Sequence, residues 1–361
     1  MGSLQTSCSQ VPSSGDWYFG DHLMTTAQDL YQALGHIQIG GSTCLFTQEK
    51  CEALAPLIDR IKTLKAQKNA VLLAHSYVSP EILYIADFVG DSYELSKKAQ
   101  TTTADTIVFS AVKFMAETAK ILNPTKTVLV PSKNNGCTLA DSITAQQVRD
   151  LKKAHPDYTF VCYINTTAEV KAECEVCVTS SNCVSIVSKI PNDKIFFLPD
   201  KLMAQNIQNQ LRQEGVEKTL KWSEGTCYVH EAYDPDMIAY LKLTHPGAVV
   251  LSHPECSPAV LSASDFVGST SQMIDYVKKN LPPKVVMLTE CGLSARLQMQ
   301  VPEVQFIGSC TMCRYMKSNT LEDIIRVLES PDKEDCITLD PTVIQAAKKS
   351  IDAMFDYVET K

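Results

Sequence analysis

Short apolar runs of four to six residues recur along the chain, and segments with helical periodicity separate them. These runs cover Val71–His75, Thr106–Ser110, Thr127–Val130, Tyr158–Tyr163 and Lys194–Leu198. Strands that alternate with helices favour parallel sheets that are covered by helices on both faces. The pattern therefore predicts an α/β protein, whose ligands would gather at the carboxyl ends of the strands.

An internal repeat underlies this pattern. The similar segments DFVGDS, EVCVTS and DFVGST end at Ser92, Ser180 and Thr270, which are 88 and 90 positions apart. Self-similarity at a fixed spacing indicates repeated structural units.

The same register extends upstream of each hydroxyl residue. Seventeen positions earlier, an apolar run ends in a polar residue, which is His75, Tyr163 or His253. Five positions after that residue comes a residue suited to open a helix, which is Pro80, Ala168 or Pro258. Proline is tolerated there because its missing N–H would be unpaired in a first helical turn.

Three cysteines complete the repeat. Cys137, Cys227 and Cys313 follow the three hydroxyl residues by 45, 47 and 43 positions. Each copy thus contains a strand, a polar strand end, a helix, a hydroxyl residue and a cysteine in the same order. If a pseudo-threefold axis relates the copies, all three sets face one central cleft.

The repeat predicts three similar three-layer αβα domains with parallel sheets around that axis. Their expected bounds are 71–157, 158–246 and 247–330. Residues 1–70 are predicted to form an N-terminal extension with an amphipathic helix near Thr47–Gln67. Residues 331–361 are predicted to form a C-terminal segment with a closing helix at 341–358.

The overall charge argues against some classes of partner. The chain has 361 residues and a formal net charge of −8, which disfavours a general nucleic-acid binder because phosphates require clustered lysine and arginine. No apolar stretch is long enough to suggest a transmembrane helix, and the N-terminus lacks the basic and apolar regions of a secretory signal. We therefore expect a soluble, cytoplasmic protein without a nucleic-acid or membrane partner.

The chain contains 14 cysteines, most of which are expected to pack in the core. The repeat register singles out Cys137, Cys227 and Cys313. Three converging thiolates suit a cubane iron–sulfur cluster, which four cysteines usually hold, so one iron would remain open as a Lewis acid. The alternatives are a zinc site that adds the imidazole of His230, and plain core packing.

Two C-x-x-C pairs need separate interpretation, since such pairs can be redox-active. The first pair is Cys310 and Cys313. The repeat spacing favours Cys313 as the ligand, because Cys310 follows Thr270 by only 40 positions. In the second pair, Cys174 and Cys177 lie in a segment predicted to be helical and are interpreted as packing residues.

The predicted cleft also contains polar groups that suit a dicarboxylate. Ser92, Ser180 and Thr270 can donate hydroxyl hydrogen bonds near helix N-termini, although such residues are often simply helix caps. A lone histidine is usually structural, and a loop carboxylate is usually only solvated. Candidate acids and bases in the cleft are His75, His230, His253 and Glu255.

Longer motifs extend over about residues 71–325. They are AHSYVSPEILYIADFVGDSYELSKKA (74–99), FMAETAKILNPTKTVLVP (114–131), NGCTLADS (135–142), YINTTAEVKA (163–172), VTSSN (178–182), FLPD (197–200), CYVHE (227–231), HPECSP (253–258), DFVGSTSQMI (265–274) and MKSNTLEDI (316–324). Together these motifs closely resemble the quinolinate synthase family.

This resemblance implies three stacked α/β domains that each contribute one cysteine to a [4Fe–4S] cluster. It implies the condensation of iminoaspartate with dihydroxyacetone phosphate, with loss of phosphate and two waters, to give quinolinate for de novo NAD biosynthesis. It also implies small-molecule substrates and a functional link to an aspartate-oxidising enzyme.

The resemblance further implies roles for individual residues. Contacts to iminoaspartate or product are expected from His75, Ser92, Tyr163, Asn165, Ser180, His253, Glu255 and Thr270. Catalytic roles are expected for His75, Tyr77, Tyr163, His230 and Glu255. Within this set, Tyr77 and Tyr163 are similar to the mechanistic tyrosines of the family, and Glu255 is similar to its acid or base at the metal.

Two other functions are compatible with three cysteines from three domains. Diphthamide-synthesis proteins share this plan and cleave S-adenosylmethionine by radical chemistry, but the motifs HPEC, YIN and GDS favour quinolinate synthase. A non-enzymatic zinc or cluster scaffold would tolerate replacement of the cleft histidines, tyrosines and glutamate. Metal content and S-adenosylmethionine binding would separate these functions.

Overall fold

Three sets of four short strands follow one another in the computed structural model, which describes residues 24–38, 46–308 and 311–359. The first set is β1 (Ala70–His75), β2 (Phe88–Gly90), β3 (Thr106–Ser110) and β4 (Thr127–Leu129). The second set is β5 (Thr159–Tyr163), β6 (Val176–Val178), β7 (Lys194–Leu198) and β8 (Thr219–Trp222). The third set is β9 (Val249–Ser252), β10 (Phe266–Val267), β11 (Lys284–Leu288) and β12 (Gln305–Ile307).

Each set forms its own parallel sheet. The strand orders are β2-β1-β3-β4, β6-β5-β7-β8 and β10-β9-β11-β12, so the same topology occurs three times. Leu72, Leu73 and Ala74 of β1 are all fully buried, as expected for a parallel strand that is covered on both faces. The predicted fold class and the threefold repeat are therefore confirmed.

Helices flank the three sheets. Before β1 come α1 (Ala27–Leu34) and α2 (Gln48–Gln67), and the next helices in chain order are α3 (Pro80–Ile85), α4 (Ser92–Thr101), α5 (Lys113–Leu122) and α6 (Ala145–Ala154). They are followed by α7 (Ala168–Ala172), α8 (Cys183–Lys189), α9 (Lys201–Gln213), α10 (Tyr228–Glu231) and α11 (Pro235–Thr244), of which α11 packs Ile238 and Leu241 against the third sheet. The remaining helices are α12 (Pro258–Ala263), α13 (Thr270–Asn280), α14 (Gly292–Gln300), α15 (Leu321–Glu329) and α16 (Pro341–Glu359).

The helix that follows the first strand of each sheet begins at the residue that the repeat predicted. Pro80 opens α3, Ala168 opens α7 and Pro258 opens α12. The side chains of Thr167 and Ser257 cap two of these helices by accepting backbone N–H groups. These short helices turn the chain away from the strand ends and leave the polar residues there facing a common space.

One element of the prediction is wrong. The segment that contains Cys174 and Cys177 was predicted to be helical, but α7 ends at Ala172 and Cys177 lies in β6. Cys177 pairs in register with Cys162 of the neighbouring strand β5. Parallel pairing with β5 therefore outweighs the local helical pattern, and the burial of both Cys174 and Cys177 agrees with a packing role.

The flanking segments pack onto the first two sheets. The predicted amphipathic helix is α2, which Thr47 caps, and it packs between α1, α15 and β1. The predicted closing helix is α16, which packs against α5 of the first unit and against α7 and β6 of the second. The domain bounds remain predictions, and residues 1–23 and 39–45 of the N-terminal extension lie outside the described residues. Within the described ranges, no helix is both long enough and apolar enough to cross a bilayer.

Candidate active site

The carboxyl ends of the first strands of all three sheets meet at one cleft. His75 ends β1, Tyr163 ends β5, and His253 directly follows β9. The cleft encloses about 610 Å³, its open mouth included. All the residues with a predicted role line it: His75, Tyr77, Ser92, Cys137, Tyr163, Asn165, Ser180, Cys227, His230, His253, Glu255, Thr270 and Cys313.

The hydroxyl residues lie at or near helix starts. Ser92 and Thr270 are the first residues of α4 and α13, but the capping side chains are those of Asp91 and Ser269. The hydroxyls of Ser92 and Thr270 are therefore not used as caps, and both residues line the cleft. Ser180 lines it from the turn before α8. The dipoles of α4 and α13 favour negative charge on this side of the cleft, where the Asp91 carboxylate already accepts the N–H groups of Tyr93 and Glu94.

A hydrogen-bond chain begins at Tyr77. The Tyr77 hydroxyl lies 2.9 Å from Thr270 Oγ1 and 2.7 Å from Thr289 Oγ1. Thr289 Oγ1 in turn lies 3.0 Å from His230 Nε2. One hydroxyl group, that of Thr289, thus connects a tyrosine of the first sheet with a histidine of the second.

The chain continues from His230 to a second tyrosine. His230 Nδ1 lies 3.0 Å from Glu255 Oε2, and the Tyr163 hydroxyl donates to Glu255 Oε1 at 2.6 Å. The five linked residues, from Tyr77 to Tyr163, are all buried. Hydrogen bonds in such a low-dielectric environment are strong, and a partner that is left unpaired there is costly.

The surroundings of the hydrogen-bond chain determine the charge states of its members. Burial alone would raise the pKa of Glu255, but the adjacent His230 and His253 and the hydrogen bond from Tyr163 lower it to about 2. The carboxylate is therefore ionised at neutral pH. Burial raises the pKa of the Tyr77 and Tyr163 hydroxyls well above the usual value, so both remain protonated phenols.

Two histidines are held neutral. Burial, together with the positive charge of Arg296, lowers the pKa of His75 to about 3. Burial likewise lowers the pKa of His253 to about 3, helped by His230, whose ring stacks on it with centroids 4.5 Å apart. Neutral imidazoles can donate one hydrogen bond and accept another, so His75 and His253 suit the binding of a polar ligand without adding charge.

The three repeat cysteines converge on one side of the cleft. Burial, together with the nearby Cys313, raises the pKa of the Cys137 thiol to about 12. Burial also raises the pKa of Cys227, and Glu255 and Cys137 add to this effect. Thiolates that are this poorly solvated and that influence one another need a cation to offset their charge. The site therefore fits a metal cofactor that thiolates bind.

A mixed set of ligands adjoins the thiols. One ligand atom each of Cys227, His230 and Glu255 lies within 4.8 Å of the others, which is compatible with a bound metal ion. However, both ring nitrogens of His230 already have hydrogen-bond partners, Thr289 and Glu255. A zinc site completed by His230 would break one of these bonds, so the arrangement does not favour that alternative.

The loops that carry the three cysteines contact one another. The Tyr228 hydroxyl, next to Cys227, accepts the Arg314 N–H at 2.8 Å. A Cβ at Gly136, next to Cys137, would lie 3.4 Å from the ring of Tyr315. The three thiols are thus held by loops that also pack on each other. Cys310, the other member of the C-x-x-C pair, lies outside the described residues.

Several residues of the cleft were not predicted. Thr289 and Glu290 follow the end of β11, and Asp91 caps α4 beside the cleft. The strand-end rule could have identified Thr289 and Glu290 if it had been applied to the third strand of each sheet as well as the first. The side-chain partners of Thr289, which are Tyr77 and His230, come from the other two units, and the spacing of a sequence does not reveal such pairs.

Three like sheets, one buried acid–base chain and three converging thiols at their junction define the class of the molecule, which is a three-unit α/β enzyme. Residues 59–356 match the family model described as quinolinate synthetase A protein. The chain belongs to this family of enzymes.

Curated relatives support the assignment to this family. Quinolinate synthase 2 of Mesorhizobium japonicum is 46% identical over 303 residues, covering 84% of this chain and 91% of the relative. Quinolinate synthase of Agrobacterium fabrum is 44% identical over 298 residues, covering 82% of this chain and 84% of the relative. Quinolinate synthase of Caulobacter vibrioides is 43% identical over 307 residues, covering 84% of this chain and 82% of the relative.

Proposed function

We propose that this protein is a quinolinate synthase that condenses iminoaspartate with dihydroxyacetone phosphate in de novo NAD biosynthesis. The observation that carries the proposal is that all 13 residues with a predicted role line one cleft at the junction of three sheets. The names of the relatives, which are similar over most of their length, support the same reaction.

We further propose that Cys137, Cys227 and Cys313 hold one [4Fe–4S] cluster. Cys313 raises the pKa of Cys137, and Cys137 raises that of Cys227, so these half-buried thiols form a donor set that a cubane cluster would satisfy. With three protein ligands, the bound cluster would supply one open iron as a Lewis acid for a substrate hydroxyl or carboxylate.

The chain's own residues explain how an anionic substrate would bind. Among the described residues, no lysine or arginine lines the cleft, while the acidic side chains of Asp91, Glu255 and Glu290 do. Binding of a dicarboxylate would therefore rest on hydroxyl, amide and neutral imidazole donors and on the starts of α4 and α13. These donors are His75, Ser92, Asn165, Ser180, His253 and Thr270.

The buried hydrogen-bond chain from Tyr77 to Tyr163 would transfer protons. The condensation removes two waters, and each dehydration needs a proton to be taken from one atom and delivered to another. Glu255 is an ionised acceptor, and Tyr163 and Tyr77 are neutral donors at the two ends of the chain. A proton could pass between the two tyrosines through Glu255, His230 and Thr289 by small shifts within existing hydrogen bonds.

The proposed substrates set the proposed context. Iminoaspartate is the product expected of an aspartate-oxidising enzyme, so a functional link to such an enzyme in the cytoplasm is part of the proposal. The partners would be small molecules, without nucleic acid or membrane.

The direct test is quinolinate formation. Protein reconstituted anaerobically with iron and sulfide is given iminoaspartate and dihydroxyacetone phosphate, and a metal-free sample is the control. Metal-dependent quinolinate would support the proposal. No product from protein that carries a [4Fe–4S] cluster would contradict it, and S-adenosylmethionine cleavage should then be assayed in the same sample.

A further inference from the structure

A buried carboxylate organises the loop that carries Cys313. Glu290 follows β11 and has no exposed surface. Its Oε1 accepts the backbone N–H of Cys313 at 3.1 Å, and its Oε2 accepts that of Gly292 at 2.6 Å. One side chain thus fixes the backbone at a thiol position and at the start of α14.

A single ammonium group joins this carboxylate to the first sheet. Lys317 Nζ lies 3.1 Å from Glu290 Oε1 and donates to the backbone carbonyl of Tyr77 at 2.5 Å. The backbone N–H of Lys317 donates to the Cys313 carbonyl at 3.0 Å. Lys317 therefore bonds directly to the backbone of both Tyr77 and Cys313.

Gly292 permits this close approach. A Cβ at position 292 would lie 2.7 Å from each of three atoms, which are Glu290 Oε2, Lys317 Nζ and the Tyr77 carbonyl oxygen. These distances are shorter than van der Waals contact, so any larger residue would push the three groups apart. The glycine is thus an independent sign that the arrangement depends on close geometry.

We propose that Glu290 and Lys317 form a positioning pair that holds the Tyr77 hydroxyl and the Cys313 thiol in one fixed frame. Removing charges from water is costly, and buried ion pairs often add little net stability. Here the other hydrogen bonds of both charges go to the backbone of Tyr77, Cys313 and Gly292. Part of this inference, the effect on turnover, rests on the proposed function.

The first test needs neither a metal nor turnover. In metal-free protein, the alkylation rates of Cys313 and Cys137 by iodoacetamide are compared by mass spectrometry for the wild type, Lys317→Met and Gly292→Ala. Loosening of the Cys313 loop should raise the rate at Cys313 by about tenfold in both variants and leave Cys137 nearly unchanged. Lys348→Met, which breaks an exposed ion pair on α16, is the matched control and should change neither rate.

The second test uses reconstituted protein. Because misplacement of a reacting group by about 1 Å can cost about 100-fold in rate, Lys317→Met and Gly292→Ala should lower kcat by that order with little change in KM. Lys317→Arg should be about as slow as Lys317→Met although it keeps the positive charge, because a guanidinium cannot fit against Gly292. The double variant Glu290→Gln/Lys317→Met should be no slower than Lys317→Met, since both changes disrupt one unit.

The outcomes separate this inference from the proposed function. Equal acceleration at Cys313 and Cys137, or none at either, would overturn the positioning pair. An unchanged kcat in Gly292→Ala would also overturn it. If the wild-type protein makes no quinolinate while Cys313 alone becomes reactive in the variants, the proposed function fails and the positioning pair stands.

Discussion

Thr289 joins the two halves of the buried hydrogen-bond chain, because its Oγ1 contacts both the Tyr77 hydroxyl and His230 Nε2. Without this group, Tyr77 would lose its route to Glu255 and Tyr163. The role of Thr289 thus depends on one oxygen atom, which lies between a tyrosine of the first unit and a histidine of the second.

Replacing Thr289 with valine keeps the shape of the side chain and removes this oxygen. We expect kcat to fall by about 100-fold, the usual contribution of one step in general acid–base catalysis. Steady-state quinolinate formation measures the change, and Thr244→Val on the exposed face of α11 is the control. An unchanged rate would mean that protons do not pass through Thr289.

The three cleft cysteines should be individually required for the proposed cluster. Cys137→Ala, Cys227→Ala and Cys313→Ala should each abolish iron and sulfide incorporation, because two remaining thiolates cannot hold a cubane. Iron and sulfide content and visible absorption after anaerobic reconstitution are the measurements. Cys336→Ala, outside the cleft, should retain the cluster, as should Cys310→Ala. Full iron content in any of the first three variants would remove that residue from the ligand set.

At this scale, sequence reasoning succeeds where a residue's position follows from its own strand. His75, Tyr163 and His253 could be located because each comes at the end of a first strand, and the thiols follow from the repeat spacing. The position of Lys317 could not, because its side chain bonds across to Tyr77, 240 residues away. A lysine in the segment MKSN has the sequence character of a surface residue.

Among the elements, the edge of the first sheet shows how the C-terminal segment contributes. The N–H of Val130 donates to the Asp335 carbonyl, and the N–H of Ile337 donates to that of Val128, both at 2.9 Å. Residues 335–337 thus pair with the free edge of β4. Covering an exposed edge in this way protects a sheet from pairing with other chains.

A buried carboxylate fastens this edge. Asp335 lies 2.6 Å from Arg326 Nη1 and 2.9 Å from Lys133 Nζ, and it also accepts the N–H of Asp332. Burial would raise its pKa, but the bonds from Arg326 and Lys133 lower it to about 2. The ionised form therefore stabilises the fold.

Asp335→Asn should lower the free energy of unfolding at pH 7 by about 1–2 kcal/mol, since both cationic partners are partly exposed and screened. The folded-state pKa of about 2 lies below the unfolded value of about 3.9, so this stabilisation is complete above about pH 5 and disappears as the pH falls towards 2. Urea unfolding of both proteins at pH 7, 5, 4 and 3 measures the difference. A difference that stays constant down to pH 3 would contradict the role of the charge.

Strands and helices were predictable to different degrees. Thr106–Ser110 and Lys194–Leu198 coincide with β3 and β7, because each is a compact apolar run with clear ends. The strand at Cys177 was not predictable from local pattern, because β6 has only three residues and follows a helix of five. In short elements, pairing with a neighbouring strand decides the structure, and a sequence pattern does not contain that neighbour.

For the whole molecule, the repeat is the feature that sequence alone could reveal most fully. Three copies of one order of elements predicted three like sheets and one shared cleft, and the described structure contains both. What the repeat could not predict is how the units differ where they meet. The hydrogen bonds from Tyr77 to Thr289 and from Tyr163 to Glu255 do not follow from the repeat pattern, so only the structure could reveal them.

The separate sheets also determine the order in which the molecule can assemble. Each sheet joins strands from within one stretch of the chain, whereas the Tyr77–Thr289 bond spans 212 positions and the Tyr163–Glu255 bond spans 92. Chains form near contacts faster than distant ones, and compact units fold largely on their own.

During refolding from urea, pulsed alkylation should therefore find Cys162 and Cys177, inside the second sheet, protected before Cys137 and Cys227 reach their native reactivity. Simultaneous protection of all four would show that the units fold as one. With the expected order, a newly made chain would possess three finished cores before it possessed a cleft. Loading with metal would then have to wait until the last step of folding.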